Sequence, residues 1–228
     1  GGLRFASLAA GGGHTCGIVA KGALYCWGGN WFGQLGVGND PDECYFSFYC
    51  SPGLIPVPVA VTGGLTFVSV TAGGVHTCGI TSSGAAYCWG VTYWLGEHDT
   101  GSCCGQGIPV PQVVGGDVRL ASISSGPGSW HVCGLTTGGT AYCWGHNASG
   151  QLGADTGAGP DCWEDACSTV PVAVTGGITF SSVRAGGKHT CAVSSDASVY
   201  CWGDNAAGQL GNGTTTGSIV PVKVAGQP

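Results

Sequence analysis

Residues 67–90 read FVSVTAGGVHTCGITSSGAAYCWG. The stretch holds one histidine and two cysteines, Cys78 and Cys88, ten residues apart. Three readings compete for it: half a metal site, a catalytic thiol, or a covalent staple. The rest of the chain bears on the choice, because the stretch recurs. Residues 5–28 read FASLAAGGGHTCGIVAKGALYCWG, and residues 180–203 read FSSVRAGGKHTCAVSSDASVYCWG. Residues 120–145, LASISSGPGSWHVCGLTTGGTAYCWG, are a further copy with two extra residues before the histidine.

Each copy continues in the same way. GQLG stands at 33–36, 150–153 and 208–211, and the second copy has YWLG at 93–96. A variable loop follows, then a Pro-Val run: PVPVAV at 56–61, PVPQVV at 109–114, PVAVTG at 171–176 and PVKVAG at 221–226. Each copy thus holds four short β-like runs separated by Gly, Ser, Thr or Asp turns, with no helical periodicity. About 55 residues carrying four strands is one propeller blade. The expected fold is all-β: a single propeller domain over 1–228, built of four repeats at about 1–62, 63–115, 116–175 and 176–228. Each repeat is a four-stranded antiparallel blade. A closed four-blade ring and an open arc both fit.

The repeated elements F-x-S-V-x-A-G-x-x-H-T, C-W-G-x-N-x-x-G-Q-L-G and P-V-x-V resemble the regulator-of-chromosome-condensation repeat family. They cover essentially the whole chain. The resemblance implies β-propellers, usually of seven blades, so four blades of that taper span a little over half a circle. It also implies a range of activities: nucleotide exchange on a small GTPase, chromatin binding, ultraviolet sensing and β-lactamase inhibition. What carries over is the general role of a rigid disk or arc that binds a protein.

Composition narrows this further. The chain has 228 residues with a formal net charge of −6, and only six are Lys or Arg. An electrostatic grip on nucleic acid or anionic lipid needs a basic patch that six residues do not supply. No apolar run reaches the roughly 18 residues of a membrane helix, so neither nucleic-acid binding nor membrane insertion is expected. Residue 1 is Gly and no signal peptide is visible; the expected state is a mature, processed chain or a fragment of a longer one. Fourteen cysteines point to an oxidising compartment, hence a secreted or cell-surface location.

Eight cysteines pair by spacing: Cys16 with Cys26, Cys78 with Cys88, Cys133 with Cys143, and Cys191 with Cys201. The midpoints Lys21, Ser83, Gly138 and Asp196 lie in polar or glycine-rich tips. Folded as hairpins, the two cysteines of each pair face each other. Opposed non-hydrogen-bonded residues lie about 4.5 Å apart at Cα, within disulfide reach. Zinc is disfavoured, since C-x-x-C pairs are missing and the H-x-C spacing is wrong for a finger. A catalytic thiol would be single, not repeated four times in register. The other six cysteines are in the variable loops. Cys44–Cys50 and Cys162–Cys167 are local pairs, and Cys103 and Cys104 form a vicinal bond or reach other partners.

His14, His76, His131 and His189 recur two residues before the first cysteine of each pair. The resemblance implies a structural role. In a closed four-blade ring they converge near the axis, where they could hold a metal. Trp27, Trp89, Trp144 and Trp202 belong to the repeated CWG and are expected to pack between blades; Trp31, Trp94, Trp130 and Trp163 are candidates for surface contact.

The loop GNDPDECYFSFYCSPG, residues 38–53, carries Tyr45, Phe46, Phe48 and Tyr49 between two cysteines. It is either a stapled loop folded on its own blade or a recognition surface. Asp40, Asp42 and Glu43 are weak calcium candidates with solvated turn residues as the default, and no other cofactor is expected. Glu97, His98 and Asp99, and Asp161, Glu164 and Asp165, are weaker clusters still, and nothing places two carboxylates around one cleft for acid–base work. Asn147 and Asn212 head glycosylation sequons.

The expected function is that of a non-enzymatic extracellular structural or interaction protein, a stapled propeller whose partner is itself, as a homo-oligomer or fibre. The alternative is a monomeric secreted propeller binding a protein or glycan through its variable loops.

Overall fold

The computed structural model describes residues 2–38, 53–91, 107–156 and 166–227. No helix occurs among them, so none is long and apolar enough to cross a membrane. Four four-stranded sheets follow in chain order. Blade 1 is β1 (Phe5–Ala10), β2 (His14–Val19), β3 (Leu24–Gly29) and β4 (Leu54–Ala60). Blade 2 is β5 (Phe67–Ala72), β6 (His76–Thr81), β7 (Ala86–Val91) and β8 (Gly107–Val113). Blade 3 is β9 (Ser122–Ser124), β10 (His131–Leu135), β11 (Ala141–His146) and β12 (Cys167–Ala173). Blade 4 is β13 (Phe180–Ala185), β14 (His189–Ser194), β15 (Val199–Gly203) and β16 (Ser218–Lys223). Every neighbouring pair within a blade is antiparallel.

The middle hairpin sets each blade. In blade 1 the Val19 amide donates to Ala23 and the Gly22 amide donates to Val19, closing a tight turn with Gly22 at φ +83°. Gly84 and Gly139 repeat that conformation in blades 2 and 3. Blade 4 has Ala197 there, at φ 67°, the one non-glycine residue with positive φ among the described residues. The turn fixes the register, and the register opposes Cys16 to Cys26, Cys78 to Cys88, Cys133 to Cys143 and Cys191 to Cys201.

The glycine of YCWG has its own cause. Gly28 sits at φ +106°, where the register of β3 against β4 slips by two residues. A Cβ there would meet the Gly13 carbonyl at 2.7 Å. On the outer strands, Pro56, Pro58, Pro109, Pro111, Pro171 and Pro221 lack the N–H that an added strand would need. That blunts the outer edge of each blade against pairing.

The core lies between blades, in three clusters. Cys16, Ile18, Leu24 and Cys26 of blade 1 pack with Phe67 and Trp89 of blade 2. Cys78, Ile80 and Cys88 of blade 2 pack with Ile123 and Trp144 of blade 3. Cys133, Leu135 and Cys143 of blade 3 pack with Phe180, Val183 and Trp202 of blade 4. Each staple therefore stiffens the face that receives the next blade. Blade 4 does not close on blade 1 in this way. Leu8 is 62% exposed, whereas its counterpart Val183 is 2% exposed. Trp27 is only half-buried, although Trp89, Trp144 and Trp202 are wholly buried. The described blades form an open arc.

Candidate interaction site

The joints between blades are held by one recurring relay. The His14 ring lies with Nε2 2.7 Å from the Thr77 hydroxyl of the next blade. Thr77 in turn donates to the Gln34 carbonyl at 2.8 Å. A hydroxyl has one proton to give, so His14 donates from Nε2 and Thr77 accepts. The Trp89 indole donates to the same Gln34 carbonyl at 3.0 Å. The joint between blades 3 and 4 repeats this. His131 Nε2 lies 2.8 Å from the Thr190 hydroxyl, which donates to Gln151 at 2.8 Å, and Trp202 donates to Gln151 at 2.9 Å.

The GQLG turn aims that carbonyl. Asn30, Asn147 and Asn205 accept from the amides of Leu35, Leu152 and Leu210 at 3.1, 2.9 and 2.9 Å. The glutamine side chains brace the other side, Gln34 accepting from Phe32 and Gln151 from Ser149. Backbone and side chain together leave the glutamine carbonyl facing the next blade.

The joint between blades 2 and 3 is built differently. Blade 2 has YWLG in place of GQLG, at positions outside the described residues. Blade 3 has Val132 in place of the threonine. His76 Nε2 lies instead 3.0 Å from the Ser125 hydroxyl, and Thr71 bonds the Ser125 backbone at 2.9 and 2.7 Å. The Trp144 indole is buried there and has no hydrogen-bond partner among the described residues.

Burial keeps the relay histidines neutral. It lowers His14 to a pKa of about 4. His76 falls to about 3 through burial and the neighbouring His14, and His131 to about 3 through burial and its neighbours His76, His189 and His146. A neutral imidazole with its proton on Nε2 is the form the relay requires. The axial-metal expectation depended on a closed ring. The histidines instead lie strung along an open arc, and no three metal-ligating side chains converge among the described residues.

Among the described residues, half of a relay stands at each end of the arc. Blade 1 presents the Thr15 hydroxyl and the Trp27 indole, both half-buried where Thr77, Thr190, Trp89 and Trp202 are fully buried. Blade 4 presents the His189 ring and the Gln209 carbonyl, half-buried where His14, His131, Gln34 and Gln151 are buried. Beside them Cys191, Val193 and Val199 are half-buried, unlike Cys16, Ile18 and Leu24 in blade 1.

Disulfides join Cys16–Cys26, Cys78–Cys88, Cys133–Cys143 and Cys191–Cys201, each with Cα atoms 4.1 Å apart. Cys167 is also disulfide-bonded. Cys44, Cys50, Cys103, Cys104 and Cys162 lie outside the described residues, as do Asp40, Asp42, Glu43, Tyr45, Phe46, Phe48, Tyr49, Trp94 and Trp163. The clusters Glu97, His98 and Asp99, and Asp161, Glu164 and Asp165, lie outside them too. Trp31 and Trp130 are 39% and 42% exposed. Asn147 is 5% exposed, and its amide donates to the Ala154 carbonyl and the Thr156 hydroxyl. Asn212 is half-buried, and its carbonyl oxygen accepts from Thr214. The relay threonines and glutamines were not sequence candidates, although the recurrence of HT beside cysteine and of GQLG marks them.

Known proteins share this architecture. The "Regulator of chromosome condensation (RCC1) repeat" matches residues 5–34, 121–151 and 180–209 in one form and 21–80, 138–193 and 196–228 in another. The ultraviolet-B receptor UVR8 of Arabidopsis thaliana is 32% identical over 221 residues, covering 96% of this chain and 46% of the receptor. The mitochondrial RCC1 domain-containing protein RUG3 of the same plant is 29% identical over 222 residues, covering 95% of this chain and 46% of the relative. The chain thus spans about half the length of these relatives. The crystal structure of Prp20p from Saccharomyces cerevisiae superposes with a TM-score of 0.79 at 21% identity, over 100% of this chain and 52% of that one. With the repeat matched over more than half its length and four stapled blades built on it, this chain belongs to the regulator of chromosome condensation (RCC1) repeat family.

Proposed function

We propose that this protein is a non-enzymatic, extracellular interaction scaffold that associates with copies of itself. A propeller arc of this family is a protein-binding framework, as with Prp20p, whose structure is described with its binding properties to Gsp1p and histones. The single observation that carries self-association is the exposed end face of blade 1. Leu8 is exposed and Phe5 and Trp27 are half-buried, where Phe67, Phe180, Val183, Trp89 and Trp202 of later blades are buried in the core. Fourteen cysteines and few charges suit a durable protein in an oxidising compartment. Sedimentation velocity over a wide concentration range tests the reading. It predicts a species heavier than the 22.6 kDa chain that dissociates on dilution. A single-chain mass at every concentration contradicts it.

One observation favours a second, compatible reading. The β1–β2 and β3–β4 type connections all lie at the same end of the blades, because the strands alternate in direction. The exposed Trp31 and Trp130 both belong to that end. This face is the one through which a single copy would grip a protein or glycan.

A further inference from the structure

We infer that each of the staples in blades 1, 2 and 3 forms one redox-sensitive lock with the blade docked over it. Docking shields the disulfide from reducing thiols, and loss of the disulfide loosens the docking.

The run H-T-C builds the lock through strand alternation. Successive side chains of a strand point to opposite faces. In β6, Thr77 points back to blade 1, where it donates to the Gln34 carbonyl. The next residue, Cys78, points forward and packs with Ile123 and Trp144 of blade 3. Blade 2 thus closes the staple of blade 1 and offers its own staple to blade 3. In β14, Thr190 reaches back to Gln151 of blade 3 in the same way.

The shield rests on the sulfur itself. Thr77 Oγ1 lies 3.8 Å from Cys16 Sγ, and Thr190 Oγ1 lies 3.8 Å from Cys133 Sγ. Both sulfurs are disulfide-bonded and carry no proton. The threonine proton is already given to the glutamine carbonyl. The hydroxyl oxygen therefore packs against the sulfur. Phe67 and Trp89 complete the cover over Cys16–Cys26, and Phe180 and Trp202 do so over Cys133–Cys143. Over Cys78–Cys88, Val132 stands where the other joints have threonine, and it packs with Ile123 and Trp144. Cys16, Cys26, Cys78, Cys88, Cys133 and Cys143 are each at most 2% exposed.

Reduction needs a thiolate to attack one of these sulfurs. With a small dithiol, one reagent thiolate bonds to a cysteine sulfur, the S–S bond breaks, and the other cysteine leaves as a thiolate. The second reagent thiol then displaces the first cysteine and closes a cyclic disulfide. Two electrons and two protons pass from the reagent to the staple, leaving two cysteine thiols. A closed joint denies the first attack, so the rate in the folded chain follows the population of the open joint. The three core clusters share no residue, so one joint opens while the others stay shut. Linkage makes the coupling reciprocal. The intact staple holds the face on which Phe67, Thr77 and Trp89 pack, and cutting it raises the population of the open joint.

The test treats the folded chain with dithiothreitol, quenches by alkylation, and reads the initial rate at each staple by peptide mass spectrometry. Circular dichroism confirms that each variant is folded. In the wild type, the three staples should be reduced at least roughly 100-fold more slowly than in guanidinium. Thr77→Val should speed reduction of Cys16–Cys26 at least roughly 10-fold. It should leave Cys78–Cys88 and Cys133–Cys143 unchanged, although residue 77 adjoins Cys78. Thr190→Val should speed Cys133–Cys143 and leave Cys16–Cys26 unchanged. Thr77→Ser keeps the hydroxyl and should restore the slow rate. In the double variant Cys16→Ala, Cys26→Ala, the Trp89 indole N–H should exchange faster with solvent while that of Trp202 does not change. A folded wild type reduced as fast as the unfolded chain overturns the shield. One common rate for all three staples in every variant overturns opening joint by joint. A Thr77→Val chain in which Cys78–Cys88 alone speeds up places the effect in β6 and overturns the lock. Unchanged Trp89 exchange in the double variant overturns the reverse coupling.

Discussion

His14 of blade 1 reaches across 63 residues of sequence to lie 2.7 Å from the Thr77 hydroxyl of blade 2. That contact and the Thr77 bond to Gln34 turn two blades into one unit. Both partners are buried, so neither finds water if the other is removed. The blade joint therefore carries a penalty for being broken as well as a gain for being made.

Thr77→Val keeps the shape and removes the hydroxyl. The His14 Nε2–H and one bond to the Gln34 carbonyl are then lost in a buried setting. A loss of about 2–4 kcal/mol is expected, from roughly 1–3 for each unsatisfied buried group. Thr190→Val should behave alike. In dilute solution Thr15→Val should cost less than about 0.5 kcal/mol, the range of surface substitutions. Guanidinium unfolding of the three variants checks the order.

The tryptophans separate packing from hydrogen bonding. Trp89→Phe and Trp144→Phe remove the same atoms from fully buried sites. Trp89 loses its bond to the Gln34 carbonyl, whereas the Trp144 indole has no partner among the described residues. Trp89→Phe should therefore be the more destabilising by about 1–2 kcal/mol. Equal losses in denaturant unfolding would remove the indole from the relay.

Acid should open the joints. His14, His76 and His131 have folded pKa values of about 4, 3 and 3, below an unfolded value near 6.5. The unfolded chain thus binds protons first as pH falls. Stability is full above about pH 6.5 and declines between there and about pH 4, by up to about 1.4 kcal/mol per pH unit for each histidine. Urea midpoints measured from pH 7 to pH 4 should fall steeply, and His76→Asn should flatten the slope. A flat profile for the wild type contradicts neutral, buried relay histidines.

Ala197 occupies the one left-handed turn position that lacks glycine. An L-residue there costs about 1–2 kcal/mol, offset by the roughly 0.5–1 that glycine loses in chain entropy. Ala197→Gly should raise stability by about 0.5–1 kcal/mol in thermal or chemical unfolding.

The blades were legible because the repeat states each turn and each strand four times over. The ten-residue spacing of Cys16 and Cys26 places them opposite each other once the turn is fixed at Gly22. The relay was not legible, because His14, Thr77 and Gln34 meet only when two blades are docked. No local pattern reports a contact between separate repeats. The surroundings of Asn147 were hidden for a related reason. Its sequon spans three residues, whereas its burial comes from the GQLG turn it braces through Leu152. The aromatic loop at 45–49 and the acidic cluster at 40–43 lie outside the described residues.

Self-association through the end face of blade 1 requires that the half-buried Trp27 become covered as Trp89 and Trp202 already are. Hydrogen exchange of the indole N–H protons, read by nuclear magnetic resonance at low and high protein concentration, measures this directly. Trp89 and Trp202 should be protected at both concentrations, and Trp27 should exchange freely when dilute and become protected as the mass rises. A Trp27 indole that exchanges freely in the associated species contradicts association through the end face of blade 1.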